Sequence, residues 1–178
     1  MGAALDPLFE GVRDQLASVL IQNGQYDAAI AIKNASPVAA AAAYAAARRF
    51  KEASDALLMI LPGYYPAGMV ETAARVLRAA PAHVASPQAL PAFPFQLTYV
   101  YLYVGAASRA FEYSEAQVKT QYLNPANTAV LWYPAAAPLR KTERFKTLMR
   151  DAGYVDFWRT RGWPDLCHPV GADDFACN

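Results

Sequence analysis

The sequence has few of the side chains that catalysis and metal binding need. Its 178 residues include only two cysteines and two histidines. No serine or cysteine lies in a nucleophile-elbow sequence, and no glycine-rich phosphate loop occurs. His83 is interpreted as a solvated loop residue, and the pair Asp173 and Asp174 as a solvated turn rather than a cation site. The sequence therefore predicts a chain that is not an enzyme and needs no cofactor.

The two cysteines leave two alternatives open. Nine residues separate Cys167 from Cys177, among them Pro169 and Gly171, so the loop can close readily. In an oxidising compartment a disulfide would stabilise the tail, whereas in the cytosol both thiols would stay reduced. A zinc site that uses Cys167, His168 and Cys177 is disfavoured, because the spacing matches no structural zinc pattern. We therefore predict no metal site.

Charge is also scarce, since 17% of the residues are charged and the net charge is +1. This balance gives no overall electrostatic footprint for nucleic acid. A basic stretch between Arg140 and Arg150 could receive nucleic acid or an acidic peptide. Glu143 and Asp151 dilute its charge, which favours a solvated helix face instead. The sequence therefore disfavours a nucleic-acid partner.

Long apolar runs are missing as well. The longest, Leu97 to Ala107, covers about 11 residues, whereas a membrane span needs about 20. Residues 1–10 lack the basic start and apolar core of a signal peptide. We expect no membrane insertion. The expected location is the cytoplasm if the chain is complete, or the periplasm if it is an excised domain of a membrane-anchored regulator.

Alanine is abundant, and apolar residues recur at three- and four-residue steps, which is typical of amphipathic helices. Capping signals divide the chain: Asp6 and Pro7 would start the first helix, Asn23-Gly24 would stop it, and Ser36-Pro37 would start the third. These signals predict a chain that is almost wholly helical.

Small and aromatic residues alternate between positions 41 and 62 at the spacing that two antiparallel helices need to pack face to face. Such a unit cannot bury its apolar face alone, so it normally stacks in an array. The residues that carry this pattern are Ala41, Tyr44, Phe50, Ala53, Leu57 and Ile60.

The pattern resembles the tetratricopeptide repeat. Ala41 and Tyr44 match the first helix of that repeat, residues 50–60 match the second, and Pro62 closes it. A weaker copy upstream consists of Ala17, Leu20, Tyr26 and Ala29. Positions 26 and 50 hold the same role but lie 24 residues apart, against a family period of about 34. The resemblance therefore implies a short, degenerate solenoid of helix-turn-helix pairs over residues 1–80.

The remaining chain is divided by proline. Residues 81–94 form a proline-rich connection, either a surface loop or a hinge. Residues 95–113 are interpreted as one long helix, although their β-branched and aromatic makeup also suits a strand. Residues 95–178 would supply this helix, a further helix and an aromatic, cysteine-containing tail. We predict one compact all-α domain in which Trp158, Trp163 and Leu166 cap the end of the array.

The tail carries a second resemblance, to the C-terminal ends of bacterial tetratricopeptide-containing regulators. In those proteins a helical array follows an effector domain, and no effector domain is recognisable in this chain. The resemblance implies a sensory or scaffolding half of such a regulator. The matching residues are Trp132, Pro134, Leu139, Arg140, Phe145, Gly153, Trp158, Gly162, Trp163, Pro164, Asp165, Leu166 and Cys167.

These observations predict a binding module that receives a peptide or a partner protein in a concave groove. The groove should be open and bordered by arginines. The alternative is a small-molecule sensor with a closed apolar pocket lined by Tyr99, Tyr103 and Trp132. Burial in the core is the better explanation for at least half of the aromatic residues, and surface placement alone would also explain the arginines. The groove candidates are Arg48, Arg49, Tyr65, Tyr99, Tyr103 and Arg109.

Overall fold

The computed structural model of the chain describes residues 10–84, 86–120 and 125–178. These residues are mostly helical, and a small two-stranded antiparallel sheet lies near the C-terminal end. The sequence predicts an almost wholly helical chain, and the structure confirms the predominance of helix but adds this sheet. The predicted cap at Asp6 and Pro7 lies outside the described residues. None of the helices in the described part of the chain combines the length and apolar character that a membrane span needs.

The first five helices follow one another, and each packs against the next. Local signals set their ends as predicted. Gly24 has a positive φ of 71° after the first helix, and the Ser36 hydroxyl accepts a hydrogen bond from the Ala39 N–H at the start of the third. The helices are α1 (Glu10–Gln22), α2 (Tyr26–Ile30), α3 (Pro37–Ala46), α4 (Phe50–Leu57) and α5 (Met69–Ala79).

Alanine forms the contact between α3 and α4. Ala41, Ala43 and Ala45 of α3 and Ala53 of α4 are all fully buried. Side chains this small let the two helix backbones approach closely. The burial of Ala41 and Ala53 agrees with their prediction as packing positions.

Replacement of Ala53 by leucine is expected to lower the free energy of unfolding by about 1–3 kcal/mol, because extra methylenes overpack a filled contact. Chemical denaturation measures this change. The same substitution at Ala28, which is exposed on α2, is the control and should have little effect. Equal midpoints for both variants would contradict the close packing of α3 on α4.

The predicted long helix over residues 95–113 is wrong. The structure has a 3₁₀ turn at Phe95–Leu97, helix α6 (Val100–Tyr103), a second 3₁₀ turn at Ala107–Arg109 and helix α7 (Ala110–Lys119). Gly105 interrupts the helical path with a positive φ of 80°, a conformation that a right-handed helix does not contain. The Val84 side chain also lies where a Cβ on residue 105 would be.

The proline-rich connection is fixed to the helices that follow it. The Tyr101 hydroxyl donates to the Pro91 carbonyl at 2.6 Å and accepts from the Phe93 N–H at 2.8 Å. Arg109 donates to the carbonyls of Pro87 and Leu90, and its guanidinium lies 4.9 Å from the centre of the Tyr101 ring. These contacts support a packed loop rather than a hinge.

Short helices and a hairpin complete the chain. Two 3₁₀ segments, Pro125–Trp132 and Pro134–Ala136, precede the helices, and Gly153, with a positive φ of 74°, separates the last two. The hairpin departs from the all-α prediction. The elements are α8 (Ala137–Arg140), α9 (Glu143–Asp151), α10 (Tyr154–Arg161), β1 (Cys167–Val170) and β2 (Asp174–Cys177).

The hairpin places the two cysteines directly opposite each other. Cys167 pairs with Cys177 in the antiparallel register, and the two form a disulfide. Of the two alternatives that the sequence left open, the structure contains the disulfide. It closes the base of the hairpin, where both cysteines are buried.

Buried apolar side chains of both halves form one connected core. Helix α6 contacts both α3 and α5, and the Tyr103 ring lies 6.2 Å from the Phe50 ring of α4. The chain therefore packs its own α6 segment against α3, α4 and α5.

Aromatic rings of the tail cluster around Trp158. Its ring lies 6.2 Å from that of Trp132, 5.5 Å from that of Trp163 and 5.7 Å from that of Phe175. These contacts lie within residues 132–175. Pro164 and Leu166 of the tail share a surface depression with Gln22 and Asn23 at the end of α1.

Candidate functional site

Three of the predicted groove residues come together in the structure as part of a tyrosine cluster. We use this name for Tyr65, Tyr99, Tyr103 and Tyr133, which lie close enough to influence one another's ionisation. Tyr133 was not among the predicted site residues. It follows Trp132 in an irregular stretch, and no sequence spacing connects it to Tyr99.

Tyr99 and Tyr133 of the cluster are buried, Tyr65 and Tyr103 are half-buried, and the cluster is only partly hydrogen-bonded. The hydroxyls of Tyr65 and Tyr99 are inaccessible to solvent and have no hydrogen-bond partner among the described residues. The Tyr133 hydroxyl is hydrogen-bonded to Ser18. Burial raises the pKa of Tyr65 to about 12 and raises the pKa values of Tyr99, Tyr103 and Tyr133. All four side chains are therefore held in the neutral phenol form.

This burial predicts a loss of stability in alkali. In the unfolded chain a tyrosine ionises near pH 10, whereas folded Tyr65 ionises near 12. The unfolded state therefore releases protons first, so stability is intact below pH 10 and falls as the pH rises from 10 towards 12. Urea denaturation at pH 8, 9.5 and 11 measures this slope.

A Tyr65→Phe, Tyr99→Phe double variant should show a shallower slope, because phenylalanine does not ionise. Tyr64→Phe removes an exposed tyrosine beside the cluster and serves as the control, with the wild-type slope expected. A double variant that loses stability in alkali as steeply as the wild type would contradict the buried placement of these hydroxyls.

Of the three predicted groove arginines, Arg48 lies near enough to Tyr103 to lower its pKa, whereas Arg49 and Arg109 make their contacts elsewhere. Arg48 is exposed, with a positive φ of 59°, in the turn between α3 and α4. Arg49 pairs with Glu52 at 3.0 Å and lies over the Tyr44 ring. Arg109 holds the proline-rich connection, as described above. The groove therefore stays a prediction, with Arg48 near the tyrosine cluster and Arg49 and Arg109 in contacts of their own.

A groove between α4 and α5 is open to solvent and mostly apolar. Its volume is about 400 Å³. Arg78 lies at its edge, where it donates to the Ser54 hydroxyl and pairs with Asp55. We call this feature the α4–α5 groove; its lining residues are Ser54, Leu58, Glu71, Ala74, Arg75, Arg78 and Ala79.

Large apolar side chains are exposed on the connection that leaves α4. Leu58 lines the α4–α5 groove, and Met59, Leu61 and Tyr64 follow it along the chain. The exposed fractions of these three are 73%, 78% and 72%. Tyr64 packs edge-on against Tyr65, with ring centres 5.1 Å apart. Four exposed apolar residues within seven positions form a local concentration rather than scattered surface residues.

A second concavity lies between α1, α3 and the segments around residues 95–99 and 129–133. Its volume is about 280 Å³, and it is only partly open to solvent. Tyr99 and Tyr133 of the tyrosine cluster belong to its wall, whereas Tyr103 and Trp132 do not. We call it the α1–α3 cleft. Its lining residues include Asp14, Ser18, Phe95, Thr98, Tyr99 and Tyr133.

Most residues of the basic stretch form hydrogen bonds or ion pairs with other parts of the chain. Arg140 is buried and donates to backbone carbonyls, so its placement on a solvated helix face is wrong. Arg144 makes a double hydrogen bond to Glu115. Lys146 and Arg150 both bind Asp174 of the hairpin at 2.7 Å, and the hydrogen bond from Lys146 lowers the pKa of Asp174. These contacts attach the hairpin to α9.

Within residues 10–84, 86–120 and 125–178, no group of three or more histidine, cysteine, aspartate or glutamate side chains is arranged to hold a metal ion.

No protein-family model matches the chain, and neither a curated protein nor a solved structure matches it. The function is therefore argued from the geometry of the groove and the cleft.

Proposed function

We propose that the protein is a helical interaction module that receives an amphipathic helix of a partner protein in the α4–α5 groove. The observation that carries this proposal is an open apolar groove whose lining residue Leu58 begins a run of exposed apolar side chains, Met59, Leu61 and Tyr64. Apolar surface concentrated in this way is typical of interaction sites.

The shape of the groove favours a helix as the occupant. Two packed helices present ridges and grooves of side chains, into which the apolar ridge of a third helix can pack. The floor is formed by small residues, Ala74 and Ala79, which allow a close approach. Arg75 and Glu71 border the groove with opposite charges, so the flanks of the partner helix would contain both an acidic and a basic residue.

The resemblance to the tetratricopeptide repeat supports the same class of function, because helical arrays of that family bind other proteins. In this proposal α1–α5 form a short, degenerate solenoid whose concave side is occupied by α6. The free groove therefore lies between α4 and α5. The similarity of the tail to bacterial regulators fits a sensory or scaffolding half, and the disulfide fits an oxidising compartment such as the periplasm.

Selection of helical peptides from a displayed library tests the proposal. Peptides selected on the wild-type chain should have an amphipathic pattern and bind with micromolar dissociation constants. Met59→Asp combined with Leu61→Asp should weaken their binding by roughly tenfold or more, because charges replace the apolar contact. Phe157→Asp, at an exposed aromatic position on α10, is the matched control and should bind normally.

The two aspartate substitutions lie at exposed positions, so the thermal midpoint should change little. Size-exclusion chromatography of the wild type and the double variant reports whether the groove instead mediates self-association. Peptides that bind the double variant as tightly as the wild type, or a library that yields no binders, would contradict the proposal.

A further inference from the structure

We propose that the α1–α3 cleft is a binding site for a small organic cation with an aromatic body, such as an arylalkylamine. This site is separate from the α4–α5 groove and does not depend on the proposed function of that groove. It rests on the charge and the aromatic wall of the cleft, and on the unpaired hydroxyls of Tyr99 in that wall and of Tyr65 near Asp14.

The charge of the cleft determines whether it favours a cationic or an anionic ligand. Among the described residues that line the cleft, Asp14 is the only one with a charged side chain. The Ser36 N–H donates to Asp14 Oδ1 at 2.9 Å, which fixes this carboxylate at the edge of the cleft. Its neighbour Arg13 does not line the cleft, and its Nε donates to the Asn34 carbonyl at 2.8 Å. The electrostatics therefore favour a cation over an anion.

Aromatic residues in the wall of the cleft favour a ligand with an aromatic body. Phe95, Tyr99 and Tyr133 belong to the wall, together with small apolar residues of α3. Aromatic rings attract an ammonium group through their electron-rich faces and pack well against a flat apolar ligand. A volume of about 280 Å³ lies at the lower end of the range for ligand sites and suits a small molecule.

Unpaired tyrosine hydroxyls are available to form hydrogen bonds with a ligand. The hydroxyl of Tyr99, a residue of the cleft wall, has no partner among the described residues, and neither has that of Tyr65. Tyr65 lies near enough to Asp14 for the two to interact electrostatically. Buried polar groups are normally paired, so two unpaired hydroxyls beside one cleft are unusual. An amine or hydroxyl of a ligand that inserts between these rings would give them a partner.

Calorimetric titration of the full chain with four probes tests the assignment. Benzylamine and tyramine are the cationic probes, benzyl alcohol is the neutral match, and phenylacetate is the anionic match. We expect the two amines to bind with dissociation constants of about a millimolar or lower and to raise the thermal midpoint. The neutral and anionic probes should bind at least about tenfold more weakly, because they lack the contact with Asp14.

Two variants locate the site. Asp14→Asn keeps an acceptor for the Ser36 N–H but removes the charge, and it should weaken amine binding about tenfold. Asp27→Asn, at an exposed position on α2, is the matched control. Tyr99→Phe should weaken amine binding several-fold without lowering the thermal midpoint, because the hydroxyl that it removes is unpaired in the free protein.

The Met59→Asp, Leu61→Asp variant should bind the amines normally, which separates this test from that of the α4–α5 groove. Failure of both amines to bind at millimolar concentration would overturn the proposal. So would equal binding of amine and alcohol, or unchanged amine affinity in Asp14→Asn. Unchanged affinity in Tyr99→Phe would overturn the role of the hydroxyl.

Discussion

Replacement of Arg140 by methionine is expected to lower the free energy of unfolding by about 3–5 kcal/mol. Its guanidinium is buried and donates to the carbonyls of Leu131 at 2.9 Å, Tyr133 at 3.0 Å and Asn178 at 2.7 Å. Hydrogen bonds from a charged group contribute about 1.5–3 kcal/mol each, and buried carbonyls left unpaired add a further cost. One side chain thus connects the segment before α8 to the end of the hairpin.

Thermal denaturation should show a fall of about 6–20 °C for this variant, given the size of the domain. Arg140→Lys should recover little of the loss, because a single ammonium group cannot reproduce the planar fork that reaches three carbonyls. Lys141→Met is the control: it makes a similar change at the next residue, which is exposed, and should alter stability by less than about 0.5 kcal/mol. Similar midpoints for the variants at 140 and 141 would show that Arg140 does not organise the tail.

Replacement of Trp158 by alanine should cost about as much, roughly 3–5 kcal/mol, because it leaves a large cavity in the aromatic cluster of the tail. Only 6% of Trp158 is exposed, and its ring contacts those of Trp132, Tyr154, Trp163 and Phe175. Aromatic pairs contribute beyond the area that they bury, so several favourable contacts disappear together.

The neighbouring aromatic residue provides a matched control for this prediction. Phe157 is 58% exposed, and its replacement by alanine should change the midpoint of urea denaturation only slightly. Tryptophan fluorescence followed during the same titration reports on the cluster directly. Equal losses for the two variants would contradict the packing of Trp158 against Trp132 and the hairpin.

Much of the N-terminal half could be predicted because its signals are local. The Ser36 hydroxyl caps α3 within its own first turn, and Gly24 ends α1 by adopting a conformation that other residues avoid. The alternation of small and aromatic residues likewise placed Ala41 and Ala53 at a helix–helix contact, where both are buried. Each of these features depends on residues that are near neighbours in the sequence.

The C-terminal half depends on contacts between residues that are distant in sequence. The long helix expected over residues 95–113 ends at Gly105, where the Val84 side chain packs against the backbone. The hairpin depends on the pairing of Cys167 with Cys177 and on the attachment of Asp174 to Lys146 and Arg150. Helical periodicity contains no information about such partners.

The sequence by itself determined a mostly helical chain, the ends of helices such as α1 and α3, and the residue types available for binding. Only the tertiary structure decided where those residues lie. It brought Tyr65, Tyr99 and Tyr103 together with Tyr133, placed Arg109 against the proline-rich connection, and packed α6 against α3 and α5. The physical reason is that capping and periodicity act over one or two helical turns, whereas a cleft forms where segments far apart in sequence bury their apolar faces against each other.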